Sequence, residues 1–277
     1  MIKTTRQLKD KINNMSEGSA EKAQILYRNY MMERFLERVA LSEYNNKFIL
    51  KGGMLVASLV GLDMRATMDI DTTVTSLNLS LDDAKRVIGD IINVPIDDNV
   101  TFEITSAETI MDEFDYPGVR IRINAYFENS RQPIKIDIST GDVITPSAVK
   151  YNYPLMFEDR TISVMSYNIE TLLAEKLQTI MVRAETNTRM RDFYDVYVIV
   201  QNEKINYNDL SAAFLATCKA RNSEEYISKI KEIFSSVAEN ETMKKQWDNY
   251  KSNNFYVGNI SWEEAMLNCV NLANRLI

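Results

Sequence analysis

Residues 48–74 read FILKGGMLVASLVGLDMRATMDIDTTV, and this stretch decides the fold. A short apolar run, FILK, predicts a strand that ends at a Gly-Gly pair, and MLVASLVG then predicts a buried helix that Gly61 ends. The alternation of polar and apolar residues in MDIDTTV predicts a second strand. A glycine turn between a strand and a helix leaves free backbone N–H groups at the helix N-terminus, where they can bind a phosphate.

Two carboxylates follow in the second strand, at Asp69 and Asp71. Residues two apart in a strand project from the same face, so both side chains point the same way. Paired carboxylates of this kind hold one or two Mg²⁺ ions in phosphoryl and nucleotidyl transfer. Asp137, on the polar face of a later strand, is the candidate third metal ligand if the sheet order brings that strand alongside. The alternative is a chance pair of aspartates beside an ordinary turn.

Composition excludes several kinds of chemistry. The 277 residues contain no histidine, which rules out a histidine base, a Ser-His-Asp triad and histidine metal ligands. The 2 cysteines lack the spacing of a metal site or a disulfide framework, and the start of the chain lacks the apolar core of a signal peptide. A cytoplasmic location is therefore expected. The net charge of −7 argues against a protein that coats nucleic acid.

The rest of the chain predicts an α+β part followed by helices. Three further strands are expected in VTFEIT, GVRIRINAYFE and PIKIDIS, after a helix that Ser80 caps. From about residue 166 the pattern becomes helical throughout. Helices are expected to begin near Asn168, Met190, Asp209, Ser223, Glu241 and Ser261. We therefore expect two domains, 1–165 and 166–277, joined around YNYPLMFEDRTISVMS at 151–166.

In the first of these later helices, a lysine lies on the apolar face. Lys176 falls inside an apolar arc made by Ile169, Leu172, Leu173, Leu177 and Ile180. An inward lysine requires a partner, unless its ammonium reaches the rim of the helix. Asp192 and Asp195 lie on one face of the next helix, where Arg191–Asp195 pairing is the simpler alternative. Beside Lys176, the two aspartates predict a composite site.

These motifs, in this order, resemble the AbiEii/AbiGii toxins, which are nucleotidyltransferase-like toxins of abortive-infection (type IV) toxin–antitoxin systems. The resemblance covers roughly residues 20 to 200 and depends on LKGGMLVASLVG, RATMDID, IKIDIS, LLAEKLQTIM and RDFYDVY. It implies a polymerase-β-like nucleotidyltransferase domain with a small mixed sheet, followed by an all-helical domain that completes the active site.

The resemblance also implies roles for individual residues. Those expected to bind the nucleotide are Lys51, Gly52, Gly53 and Arg65; many nucleotidyltransferases have Gly-Ser where this chain has Gly52-Gly53. The catalytic residues would be Asp69, Asp71, Lys176 and Asp192, with Asp195 in support. The expected metal ligands are Asp69, Asp71 and Asp137.

The implied activity is Mg²⁺-dependent transfer of a nucleotide from an NTP, with GTP binding among the expectations, to RNA and specifically to a tRNA 3′ end. Growth arrest would serve phage defence, and a cognate antitoxin would act without necessary direct contact. We expect the acceptor beside Arg183, Arg189 and Arg191, in a cleft between the two parts, with Tyr194 or Tyr197 as a stacking platform unless they are core residues. Two alternatives remain: transfer to a protein or small-molecule hydroxyl, and a catalytically silent nucleotide-binding interaction module.

Overall fold

The computed structural model describes residues 1–75, 80–111 and 117–276. Within these ranges the α-helices are α1 Thr5–Ser16, α2 Ala20–Leu41, α3 Gly52–Val60, α4 Leu81–Ile92, α5 Ile169–Arg183, α6 Met190–Asn202, α7 Tyr207–Ala220, α8 Ile230–Glu239, α9 Glu241–Ser252 and α10 Trp262–Arg275. The strands are β1 Phe48–Lys51, β2 Asp69–Val74, β3 Val100–Met111, β4 Pro117–Phe127, β5 Ser130–Thr140, β6 Val149–Pro154 and β7 Thr161–Ser166. The predicted α+β class is confirmed.

The strands form one mixed sheet in the order β3-β4-β5-β2-β1-β7-β6. β2 pairs antiparallel with β1 and parallel with β5. β4 and β5 each bury a row of apolar side chains on one face, among them Ile121, Ile123, Ile136 and Ile138. Helices α2 and α4 pack against this sheet. The opposite side of β4, β5 and β2 therefore carries the polar residues, as the alternation in these strands predicted.

The segment 151–166, around which the two domains were expected to join, contains strands that the sequence did not predict. It contributes the two strands β6 and β7, and β7 pairs parallel with β1 through Ile49↔Met165 and Leu50↔Ser166. Its buried residues alternate, with Tyr153 on β6 and Ile162 and Val164 on β7. Pro154 at the end of β6 and the charged residues Glu158, Asp159 and Arg160 between the strands hide this short alternation in the sequence. The sheet consequently has two strands more than predicted.

The later helices begin close to the predicted positions. The Asn168 side chain accepts from the backbone N–H of Thr171 at the start of α5. Ser261 and Glu264 form a reciprocal capping box at the start of α10. The segment after Ser223 begins as a 3₁₀ helix, Glu224–Lys229, before it continues as α8. Side chains that satisfy the free N–H groups of the first turn make these starts readable from sequence.

The chain divides into two compact units. The first comprises residues 1–58, 66–142 and 149–166, and the second comprises 59–65, 143–148 and 167–277. The second unit thus takes two short segments from the first half of the chain, which the expected division into 1–165 and 166–277 did not assign to it. Within the described ranges, helices long and apolar enough to cross a membrane are absent.

Candidate active site

The Gly-Gly turn is shaped by the carboxylate that lies against it. Gly52 has φ +64°, a left-handed conformation that side chains disfavour. A Cβ atom added to Gly52 would lie 2.2 Å from Asp71 Oδ2 and 2.7 Å from Asp71 Cβ. Helix α3 begins at this turn, so the predicted order of strand, Gly-Gly and helix is confirmed. Glycine is required at position 52 both by the backbone conformation and by the proximity of Asp71.

Three carboxylates meet on the polar face of the sheet in the first unit. The parallel pairing of β2 and β5 sets Asp71 beside Asp137 and Asp69 beside Lys135. Asp69, Asp71 and Asp137 each offer an oxygen, these oxygens all lie within 4.8 Å of one another, and all three residues are half-buried. This all-oxygen donor set fits a hard divalent cation such as Mg²⁺. The sheet order thus sets Asp137 where the sequence predicted, and its role as a metal ligand stays a prediction.

Two cations that sequence reasoning missed contact these carboxylates. Lys135 Nζ lies 2.5 Å from Asp69 Oδ2 and 3.5 Å from Asp137 Oδ2. Arg120 donates to both oxygens of Asp137, with Nε 2.8 Å from Oδ1 and Nη2 2.9 Å from Oδ2. The Asp137 contact raises the pKa of Arg120 more than burial lowers it. The alternation of IKID and VRIRI was the available signal, since it sets Lys135 and Arg120 on the polar face.

Lys51 and Arg65, both predicted to bind the nucleotide, have carboxylate partners. Lys51 Nζ lies 2.5 Å from Asp142 Oδ2 in the first unit. Arg65 belongs to the second unit, is 1% exposed, and places its Nε 2.6 Å from Asp195 Oδ1. Burial lowers the pKa of Arg65, and its contact with Asp195 more than offsets that effect. A phosphate role for Arg65 stays a prediction, and it would require this buried pair to open.

A buried ion cluster occupies the helical unit. Lys176 is 9% exposed, and its Nζ lies 3.1 Å from Asp192 Oδ1 and 2.6 Å from Asp195 Oδ2. Arg189 Nε lies 2.8 Å from Asp192 Oδ2. Lys176 therefore points inward and meets carboxylates, so the alternative of an ammonium at the rim of the helix is wrong.

The cations of this cluster keep its two aspartates ionised. Burial acts to raise the pKa of Asp192, but Lys176 and Arg189 lower it below its ordinary value. The pKa of Asp195 is lowered further, because Arg65 and Lys176 both contact it and outweigh burial. Whether this cluster and the carboxylates of the first unit act as one composite site stays a prediction.

The two tyrosines proposed as stacking platforms differ in exposure. Tyr194 is fully buried in the helical unit, where its hydroxyl donates to the backbone oxygens of Tyr256, at 3.0 Å, and of Met64. It is a core residue, so the expectation of base stacking on Tyr194 is wrong. Tyr197 is half-buried, Arg191 is exposed, and Arg183 and Arg189 are partly exposed. These arginines and Tyr197 remain the accessible part of the predicted acceptor region.

Comparison with known proteins agrees with this geometry. The sequence model of the family described as "Nucleotidyl transferase AbiEii toxin, Type IV TA system" matches residues 34–268. No curated protein matches the chain.

Several solved structures share the fold. MenT4, a nucleotidyltransferase toxin from Mycobacterium tuberculosis H37Rv, is similar with a TM-score of 0.56 and 11% identity, covering 97% of both chains. JHP933 from Helicobacter pylori has a TM-score of 0.56 and 15% identity over 91% of both chains. A putative nucleotidyltransferase from H. pylori has a TM-score of 0.53 and 17% identity, covering 91% of this chain and 94% of its own.

The family match spans most of the chain, and the fold is that of nucleotidyltransferases. Enzymes of this class use an NTP and divalent metal ions, and the three carboxylates beside the Gly52 turn are compatible with that requirement. The chain belongs to the AbiEii family and is a nucleotidyltransferase toxin of a type IV toxin–antitoxin system.

Proposed function

We propose that the protein transfers a nucleotide from an NTP, with GTP among the candidate substrates, to the 3′ end of an RNA, most specifically a tRNA. The observation that carries the proposal is the carboxylate cluster of Asp69, Asp71 and Asp137 against the Gly52 turn. In the reaction the acceptor hydroxyl oxygen bonds to the α-phosphorus, the bond to the β-phosphate oxygen breaks, and pyrophosphate leaves. The hydroxyl proton is released to solvent.

Each part of the first unit has a role in this proposal. Asp69 and Asp71 would hold Mg²⁺, with Asp137 as the third ligand, and the bound ion would neutralise charge on the phosphates. The backbone N–H groups of Gly52 and Gly53, at the start of α3, bind the triphosphate, because no Cβ at position 52 obstructs close approach. Lys51, which contacts Asp142, supplies positive charge at the end of β1.

The ion cluster of the helical unit is proposed as the second functional group. Asp192 and Asp195 both hold the Lys176 ammonium, so it is fixed rather than mobile. A fixed cation stabilises developing negative charge without reorganisation during the reaction. Asp192 orients the ammonium directly, and Asp195 supports it from the side that Arg65 contacts.

An RNA acceptor is favoured by local charge rather than by the charge of the whole chain. The net charge of −7 opposes long-range attraction of a polyanion, so binding must be local. Arg183, Arg189 and Arg191 provide such a local site, and Tyr197 is the remaining aromatic candidate for a splayed base. Blocking tRNA ends would arrest growth and so limit phage infection, and the cognate antitoxin need not contact the toxin directly.

The decisive experiment supplies each α-³²P-labelled NTP, Mg²⁺ and total RNA to the purified protein. We expect label on tRNA, loss of that label when the terminal tRNA nucleotides are removed beforehand, and loss in Asp69→Asn, Asp71→Asn. Because asparagine keeps the shape of aspartate on this sheet face, the variant should stay folded, which thermal melting checks. Arg122→Gln, which changes an exposed charge on the same sheet, is the matched control and should label tRNA as wild type does.

Two results would reject parts of the proposal. If label appears only on protein or on a small molecule, the acceptor is one of these alternatives and not RNA. Undiminished tRNA labelling by a folded Asp69→Asn, Asp71→Asn variant would remove the carboxylate cluster from the reaction.

A further inference from the structure

The ammonium of Lys135 lies against the carboxylates that are the candidate metal ligands. Its Nζ is 2.5 Å from Asp69 Oδ2 and 3.5 Å from Asp137 Oδ2, so it contacts two of the three clustered carboxylates. The register pairs Lys135 with Asp69 on the neighbouring strand, which fixes both side chains on the same face. This contact follows from the sheet itself and not from a surface loop.

The three carboxylates require such a cation. Like charges a few ångströms apart repel strongly in a half-buried setting, since the local dielectric is below that of water. Lys135 compensates Asp69, and Arg120 compensates Asp137 through two hydrogen bonds. In the metal-free protein, these two side chains therefore supply positive charge that a divalent cation would otherwise supply.

The two cations differ in how readily they can leave. Arg120 is bound to Asp137 through a rigid two-point contact, which holds the orientation of that carboxylate. Lys135 makes point contacts at the end of a flexible four-carbon stem, and its side chain is 33% exposed. It can therefore leave Asp69 without breaking a two-point hydrogen-bonded geometry.

We propose that Lys135 is the internal counter-ion of the metal site: a divalent cation displaces its ammonium from Asp69, and the ammonium then binds a phosphate of the incoming nucleotide. The inference rests on the proposed function, because the metal and the nucleotide are those of that reaction. It assigns to Lys135 a phosphate-binding role in addition to those of Gly52, Gly53 and Lys51. The ammonium keeps its charge in both positions and only its partner changes.

This exchange predicts effects of opposite sign on two binding steps. Without nucleotide, Lys135 competes with the metal, so Lys135→Met should bind Mn²⁺ about tenfold more tightly than wild type. With nucleotide, the same variant lacks a phosphate partner, so it should bind each Mn²⁺-loaded α,β-methylene nucleoside triphosphate about tenfold more weakly. A merely structural lysine would shift both affinities in one direction or neither.

Mn²⁺ binding is measured by the loss of its free electron paramagnetic resonance signal, and analogue binding by calorimetry at saturating Mn²⁺. Lys150→Met, an exposed lysine on β6, is the matched control and should behave as wild type. Lys135→Arg keeps the charge and should bind free Mn²⁺ within about twofold of wild type. If Lys135→Met is unstable, Lys135→Gln removes the charge with a polar side chain and takes the same two measurements.

The inference is overturned if the charge-removing variants bind Mn²⁺ no more tightly than wild type, or bind the analogues equally well. A wild-type chain that binds no Mn²⁺ overturns it together with the metal site. Failure of the proposed function gives a different pattern: the two opposite shifts occur, yet no label is transferred to RNA.

Discussion

At the scale of single residues, Gly52 is the position most constrained by its surroundings. Gly52→Ala would force a left-handed alanine and push its Cβ into the Asp71 carboxylate, 2.2 Å away. We expect loss of Mn²⁺ binding and of nucleotide transfer, with a cost to stability of about 1–2 kcal/mol from the backbone conformation. Titration with Mn²⁺ and thermal melting measure the two effects separately.

Gly258 provides the control for this prediction. Its φ of +60° is nearly that of Gly52, but nothing lies within 4 Å of the Cβ that an alanine would add. Gly258→Ala should therefore also lose stability through its backbone conformation and keep Mn²⁺ binding. If both variants lose Mn²⁺ binding equally, backbone strain and not the contact with Asp71 explains the requirement for glycine.

The sequence predicted the placement of several single residues, but only some of their partners. The inward orientation of Lys176 followed from helical periodicity, and Asp192 and Asp195 followed from their spacing. Arg65 as the partner of Asp195 did not, because the two residues are 130 positions apart and only folding brings them together. Lys135 and Arg120 were passed over for a related reason: a polar residue on a strand face gains a role only from the neighbouring strands.

At the scale of elements, the Lys176 cluster joins α5 to α6. Lys176→Met would leave Asp192 and Asp195 with one cation fewer each, and breaking a buried ion pair costs about 3–5 kcal/mol. We expect a large loss of stability to urea together with loss of nucleotide transfer. This single variant cannot separate a structural role from a catalytic one, so a compensated variant is needed.

Lys176→Met, Asp192→Asn removes one charge of each sign and keeps the cluster balanced. The folding equilibrium constant, measured by urea unfolding, should be several-fold larger than that of Lys176→Met, because no additional carboxylate is left without a cation. Transfer should remain lost, since the fixed ammonium is absent. If transfer recovers along with stability, the cluster is structural and the catalytic role of Lys176 is wrong.

Elements with complete local signals were predicted, and the two short strands β6 and β7, whose local signals are weak, were not. Ser261 and Glu264 mark the start of α10 as capping residues, and Ser80 marks the start of α4. β6 and β7 are 6 residues each and become strands through pairing with each other and with β1. Short strands depend on their neighbours for hydrogen bonds, so the sequence signal for them is weak.

At the scale of the whole molecule, stability should depend on pH through a buried glutamate of the first unit. Glu33, 2% exposed, accepts from Met156 N–H and from Asn29. Burial raises the pKa of Glu33 to about 8, against the opposing effects of Arg34 and these hydrogen bonds. The folded state therefore keeps the proton between about pH 4.5 and 8 while the unfolded chain loses it. Stability should fall as pH rises through this window, by up to about 1.4 kcal/mol per pH unit.

Because the chain has no histidine, few other side chains titrate in this pH window, and the pH dependence of stability can be attributed to Glu33. Asp192 and Asp195, whose pKa values are lowered, have the opposite effect, and their contribution is lost only as the pH falls below about 4. Urea unfolding at pH 5.5 and 8.5 measures the slope. Glu33→Gln should flatten it, whereas exposed Glu232→Gln should not. Equal slopes in wild type and Glu33→Gln would contradict the assignment.

The division into units is also a property of the whole molecule. The helical unit includes residues 59–65 and 143–148, which precede most of it in the chain. Arg65 contributes the buried partner of Asp195, and Asn168, which caps α5, donates to the backbone oxygens of Thr145 and Ser147. A division drawn at one point of the sequence cannot represent this arrangement, because it assigns whole stretches of chain to one side.

The sequence by itself determined the α+β class, the strand–Gly-Gly–helix–strand order, the helix starts and the aspartates of the candidate site. Hydrophobic periodicity, glycine turns and capping residues are local, so they can be read along the chain. Only the tertiary structure decided that Asp137 lies beside Asp71, that Lys135 and Arg120 neutralise the carboxylates, and that Arg65 pairs with Asp195. These contacts depend on strand order, register and burial, which arise only when distant segments pack together.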